Sequence, residues 1–325
     1  MKKVLVSGAS GVVGYGILRS LKRSTKEIQL IGTSIYEDSV ANAFCDIFEK
    51  APPTTDKEYV SWLLEIIRKH RVDFIIPGIE VDLYSWVEHL PEIEASGVKI
   101  LMNNVELVKL CKDKWIFYEK MLSLNCGFLI ESSLDRNFDS LASQFGLPFL
   151  LKPRQGFGGR GIITVVNYEI FEKYAERIGP ELMAQPIVGD VEEEYTTSAF
   201  CDGKGSVYAS MTLRRKLSKE GFTDRATVVS PEGLSAIVST LCRDLQPLGP
   251  TNFQFRRSHG NWKLLEVNPR ISSATSIRSS FGYNESMMAV EFWLENKIPA
   301  QPDVQKGRAV RYVEDFIFYE NRPDL

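Results

Sequence analysis

Over the first hundred residues, short apolar runs alternate with longer stretches whose apolar positions recur at helical spacing. Residues 2–8 ("KKVLVSG"), 28–34 ("IQLIGTS"), 72–78 ("VDFIIPG") and 98–102 ("VKILM") carry consecutive apolar positions, the pattern of strands buried on both faces. Between them, residues 11–24 place Val12, Val13, Ile17, Leu18 and Leu21 on one stripe. Residues 56–70 do the same with Tyr59, Leu63, Ile66 and Ile67. Residues 82–96 read as a further helix, interrupted near Pro91, which lacks the N–H that a helix interior needs. Strand and helix in alternation predict a parallel sheet with helices on its faces, a doubly wound α/β domain over residues 1–102.

The first strand runs into glycines at 8, 11 and 14. In a dinucleotide-binding unit such glycines allow a tight turn ahead of a helix N-terminus, which favours anions. Here the spacing is GxxGxxG, and the second strand ends in Thr33 and Ser34, where a dehydrogenase places an acid for the ribose hydroxyls. The turn also resembles that of short-chain dehydrogenases and sugar-nucleotide epimerases. Those use a tyrosine with a lysine four residues on, and none of the twelve tyrosines has one. A tight strand-to-helix turn without nicotinamide is therefore the expectation.

Three stretches beyond residue 110 carry the stronger chemistry. In "LLKPRQGFGGRGIITV", residues 150–165, a strand delivers Lys152 to a loop with glycines at 156, 158, 159 and 161, then a second strand follows. Glycines let backbone N–H groups approach phosphate oxygens, and a lysine adds a point charge. In residues 181–205, a strand runs into Gln185, Pro186 and Ile187, where backbone groups can meet an adenine edge, and acids follow. Residues 249–278 read as a hairpin, "NFQFRR", "SHGN", "WKLLEVN". Glu266 and Asn268 are two apart and share a face, and Gln254 lies on the partner strand. All three offer oxygen, which suits Mg²⁺, and Arg270 follows within reach of the same phosphates.

Together these residues resemble the ATP-grasp superfamily, and in particular one ATP-binding half of the carbamoyl-phosphate synthetase large subunit. "TNFQF…LLEVNPRISSATS" resembles that family's metal and phosphate motif with a shorter hairpin, and "LLKPRQGFGGRGI" its phosphate-loop strand. "CKDKW", residues 111–115, is similar to the segment with the first nucleotide-binding basic residue, and so implies that role for Lys114. "GDVEEEYTTSAFCDG" implies Glu194 as the ribose ligand, with Glu192 as the alternative.

The fold so implied is mixed α/β and α+β. A Rossmann-like pre-ATP-grasp domain (1–102) precedes a small ATP-grasp subdomain with the glycine loop (103–186) and a C-terminal subdomain with the metal site (187–325). The resemblance implies ATP as nucleotide and Mg²⁺ as metal, two ions, with Mn²⁺ as a substitute. Gln254, Glu266 and Asn268 are the implied ligands. Lys114, Lys152, Gly156, Gly158, Gly159, Gln185, Pro186, Ile187 and Glu194 would hold the nucleotide, and Arg270 with Lys152 would act on the transferring phosphoryl group. Arg214 and Arg215, beside Lys216, and Glu80, at the C-terminal end of a Rossmann strand where ligands collect, are the implied acceptor contacts. The implied reaction activates a small-molecule carboxylate as an acyl phosphate for attack by an amine, and the resemblance admits a homodimer.

Composition narrows the alternatives. The chain has 325 residues and a net charge of −3, so no basic excess suits a nucleic-acid backbone. Its five cysteines show no CxxC spacing and its three histidines no metal-ligand pairing, which points to idle thiols and no zinc site. No apolar run reaches membrane-spanning length, and the cytoplasm is the expected compartment. Two other classes remain: a nucleotide-sensing module, which has no need of all of Gln254, Glu266, Asn268 and Arg270, and a nicotinamide enzyme lacking its tyrosine–lysine pair.

Overall fold

The computed structural model describes residues 1–156 and 159–318. A parallel sheet forms from β1 (Lys2–Val6), β2 (Ile28–Ser34), β3 (Ile47–Lys50), β4 (Phe74–Ile76) and β5 (Lys99–Ile100), in the order β3-β2-β1-β4-β5. Alternation along β1 sends Val4 and Val6 to one face and Leu5 to the other. Leu5, with Ile31 and Ile75, packs on the helices Tyr59–His70, Glu80–Glu88 and Leu90–Ala95. Val4 and Val6 pack on Ile17, Leu18 and Leu21 of the helix Val12–Lys22. The interruption expected near Pro91 falls at His89. Pro91 sits in the first turn of the second helix, where no hydrogen bond asks for its missing N–H. β3 was not signalled, because "IFEK" is three half-buried residues and an exposed lysine with little pattern.

The glycines of the first turn have a packing role. A Cβ on Gly14 would lie 2.4 Å from the Gly8 carbonyl oxygen, and one on Gly78, after β4, 2.1 Å from that of Ser7. Helix, turn and β4 thus meet backbone to backbone. Beside them Ser10 Oγ bonds Ser34 Oγ at 2.6 Å and Ser39 Oγ at 2.7 Å, so hydroxyls occupy the end of β2. Gly78→Ala should destabilise the fold by roughly 1–3 kcal/mol through overpacking, read as a lowered melting temperature. A melting temperature equal to wild type would contradict this packing role.

The remaining strands make two antiparallel sheets. β6 (Phe149–Pro153), β7 (Ile163–Val165) and β8 (Leu182–Pro186) form a small sheet in the order β7-β6-β8. β9 (Glu194–Asp202), β10 (Val207–Leu217), β11 (Thr223–Val229), β12 (Leu248–Ser258), β13 (Asn261–Asn268) and β14 (Arg308–Val310) form a large one, β13-β12-β9-β10-β11-β14. Residues 103–186 divide between two cores. Leu141, Phe149, Leu151, Phe171 and Leu182 build one under the small sheet. Leu107 and Met121, from the helices Val105–Lys112 and Lys114–Ser123, join Phe253, Phe255 and Leu241 under the large sheet instead. The large sheet is tied to the parallel one through Tyr283, Met288 and Ala289, which share a core with Val4, Phe74, Phe200 and Met211. Among the described residues no helix is long and apolar enough to cross a membrane.

Candidate active site

One face of the large sheet is apolar over β9, β12 and β13, and the other carries a polar patch beside the core that it shares with the parallel sheet. On β9, β12 and β13 the side chains of Tyr195, Phe253, Phe255, Leu264 and Val267 are buried in the core that also holds the helix Leu234–Leu245. The alternate positions carry oxygen and nitrogen. The ladder pairs Asn268 with Asn252, Glu266 with Gln254, Gln254 with Thr196, and both Arg256 and Arg215 with Glu194. Strand alternation therefore puts Gln254, Glu266 and Asn268 on one face, with Gln254 directly across from Glu266.

Below this face lies a buried brace. Arg278 and Glu285 are both fully buried and 3.3 Å apart. Arg278 also donates to Ser272 Oγ at 2.8 Å, Thr196 Oγ1 at 3.1 Å and Asn252 Oδ1 at 2.9 Å. These bonds fix the segment after β13 against β9 and β12, and Arg270 leaves from that segment. Its Nη2 lies 3.2 Å from Asn268 Oδ1 and 3.2 Å from Glu80 Oε1, and its backbone N–H donates to the Asn268 carbonyl at 2.8 Å. Glu80, on the first turn of its helix at the end of β4, thus reaches the hairpin from the other domain. Arg270 Nε is buried without a partner among the described residues.

The opposite wall comes from the small sheet. Lys114 opens its helix behind Asp113, whose carboxylate caps Trp115 and Ile116 N–H groups and takes a fork from Arg154 at 2.8–3.2 Å. Burial works to raise the Asp113 carboxyl, but the Arg154 fork and the two amides outweigh it and hold it below the usual range. The Lys114 ammonium donates to the Gly156 carbonyl at 2.7 Å and lies 3.9 Å from Glu266 Oε1. Burial pushes the Lys152 ammonium below its ordinary range. Glu266 opposes that shift, while the nearby Lys114 and Arg256 cations add to it. Gly156 and Gly159 have left-handed backbone, at φ 112° and 69°, which favours glycine. Gly158 lies outside the described residues.

Between the walls is a cleft. Lys114, Lys152, Gly156, Gly159, Glu194, Gln254 and Glu266 line one part of it, and Ile130, Leu150, Pro186, Ile187 and Leu217 give an apolar slot. Gln185 lines it too and donates through Nε2 to Ser132 Oγ at 2.8 Å. Glu192 is exposed and pairs with Lys216. The two expected acceptor arginines part company. Arg214 is exposed, while Arg215 is buried, turned to the opposite face, and spent on Glu194 and Thr223 Oγ1. Period-two alternation, which forbids neighbouring strand residues a common face, already separated them. Arg256, Asp113, Arg154, Arg278 and Glu285 escaped the sequence reading. Arg256 alone had a legible signal, being two residues from Gln254.

Gln254, Glu266 and Asn268 supply two amide oxygens and a carboxylate, hard ligands that suit Mg²⁺ completed by phosphate oxygens. Among the described residues no group of three or more His, Cys, Asp and Glu side chains is placed to hold a metal ion. The five cysteines are free, although Cys201 and Cys242 lie buried 3.5 Å apart.

Residues 180–316 match a family described as ATP-grasp in the biosynthetic pathway with Ter operon, and residues 9–101 match the PylC-like N-terminal domain. Over residues 180–316 the chain is similar to ATP-grasp proteins. The chain is 25% identical over 315 residues to the carbamoyl phosphate synthase large chain of Methanosarcina mazei. That match covers 86% of this chain but only 28% of the large chain. By fold it is similar to N5-carboxyaminoimidazole synthetase from Staphylococcus aureus, with a TM-score of 0.70 and 13% identity over 93% of this chain and 80% of that one. It is also similar to the biotin carboxylase domain of Hydrogenobacter thermophilus 2-oxoglutarate carboxylase, solved with MgADP and bicarbonate. There the TM-score is 0.71, with 17% identity over 94% of this chain and 73% of that one.

Proposed function

We propose that this chain is an ATP-dependent ligase that converts a small-molecule carboxylate to an acyl phosphate and passes the acyl group to an amine, releasing ADP and phosphate. One observation carries the reading: Glu266 stands opposite Gln254, with Asn268 and Arg270 beyond it, and faces Lys114 at 3.9 Å across a cleft with an apolar slot. A triphosphate and an ionised carboxylate repel. Two unit charges of one sign at ~4 Å cost about 4 kcal/mol even at an effective dielectric near 20. Lys114 and Lys152 hold the phosphates, and Arg270 stands where charge passes from nucleotide to acceptor, beside Glu80. Gln254, Glu266 and Asn268 would hold two Mg²⁺ ions, or Mn²⁺ in their place, which supply charge neutralisation on the phosphate oxygens. The linker from Gln185 to Ile187 meets the base. Phosphoryl transfer to a carboxylate needs no general base, because the nucleophile is already ionised.

The test is ADP release measured across a panel of carboxylates and amines with product masses recorded, alongside thermal unfolding. At 100 times its dissociation constant, ATP with Mg²⁺ should add ~2.7 kcal/mol of stability and NAD(P) none. Stabilisation by NAD(P) alone would overturn the reading. Binding of ATP without turnover on any acceptor would support a sensor instead.

A further inference from the structure

Glu194 is only 3% exposed, and both its oxygens are already taken. Arg215 Nε and Nη2 donate to Oε1 at 3.1 and 2.8 Å, and Arg256 Nε and Nη2 donate to Oε2 at 3.1 and 2.9 Å. A carboxylate has about four lone-pair sites, so two guanidinium forks leave none for a sugar hydroxyl. The two arginines differ in what remains to them. Arg215 is 4% exposed and gives its third nitrogen to Thr223 Oγ1 at 3.3 Å. Arg256 is 21% exposed and lines the cleft. Among the described residues its Nη1 donates only to the Val188 carbonyl, at a marginal 3.5 Å.

Arg256 also stands in the right part of the cleft. It is two residues from Gln254 on the same face of β12, at the metal end. Val188, which its Nη1 approaches, belongs with Ile187 and Leu217 to the apolar slot. A group between the phosphate cations and the base slot faces the sugar.

We propose that Arg256, through Nη1, is the residue that donates to the ribose hydroxyl oxygens of the bound nucleotide, and that Glu194 is a positioning residue that holds the guanidinium in place. This rests on the ATP reading above. Lys216, the next cation along β10, is tied to Glu192 and competes for neither role.

The two roles for Glu194 give opposite signs in one experiment. Dissociation constants for MgATP and for Mg-2′,3′-dideoxyATP are measured by calorimetry on the full chain, for wild type, Arg256→Ala, Arg256→Lys and Glu194→Gln. Wild type should prefer ATP by about tenfold, the scale of one charge-assisted hydrogen bond. Arg256→Ala should abolish the preference while both nucleotides still bind, Arg256→Lys should restore part of it, and Glu194→Gln should weaken it. If Glu194 were itself the sugar ligand, Arg256→Ala would free its Oε2 and keep or sharpen the preference, and that result overturns the proposal. A wild type indifferent to the two hydroxyls overturns it as well. Failure of wild type to bind either nucleotide sinks the ATP reading itself. The unfolding temperature of Arg256→Lys, which retains the charge beside Glu194, reports whether loss of fold confuses the alanine variant.

Discussion

Arg270→Ala is expected to lower turnover by about 10²–10³-fold while nucleotide affinity stays within a few-fold, the scale of losing one donor that acts mainly on transition-state charge. Its guanidinium bridges Asn268 Oδ1 and Glu80 Oε1, each at 3.2 Å, where the hairpin meets the parallel-sheet domain. Arg270→Lys should recover only part of the loss, because a single ammonium keeps the charge but loses the second nitrogen, Nη1, which donates to the Ile271 carbonyl at 3.2 Å and orients the guanidinium. ADP release with a working acceptor, set against nucleotide titration, measures the split. A folded Arg270→Ala protein with normal turnover would make this arginine a pin between domains and remove the phosphoryl-stabilising group from the mechanism.

Glu266→Gln should fail in a different way. Glu266 is the one carboxylate of the three proposed metal ligands, so replacing it removes the only formal negative charge that the triad contributes. Nucleotide binding that depends on Mg²⁺ should weaken together with turnover, the latter by about 10²–10³-fold. The amide keeps the size of the side chain and its place opposite Gln254, so the hairpin should remain folded. The decisive measurement is the MgATP dissociation constant against that of ATP in EDTA. In wild type the two should differ widely, and in Glu266→Gln they should converge. A wide difference kept by the variant would place the metal elsewhere.

Much of this arrangement was legible in the chain. The alternation of apolar runs and helical stripes gave β1, β2, β4 and β5 with the helices Val12–Lys22 and Tyr59–His70, because burial on a two-faced sheet leaves a strong periodic trace. Chain geometry also sufficed for Glu266 and Asn268, which lie two apart on a strand, and for Gln254 across the turn. The same geometry, applied to Arg214 and Arg215, would have separated them. Elements with weak patterns were missed. β3 is short and half-exposed, and β14 draws its identity from pairing with β11 at a sheet edge.

Local pattern in the chain set the strand and helix periods, the glycine positions that allow backbone-to-backbone packing, and the residue types of the proposed metal and phosphate face. Those follow from local rules, since a side chain's face and a glycine's freedom depend on its own position in the chain. Which polar groups spend one another was set by the packing of distant segments. Glu194 is saturated by arginines 21 and 62 residues away, and Arg270 meets Glu80 from another domain. Arg278 is neutralised by Glu285, both fully buried. A buried charge must find a partner or carry a large desolvation cost, and which partner it finds is set by packing between distant segments. No period in the sequence records that choice.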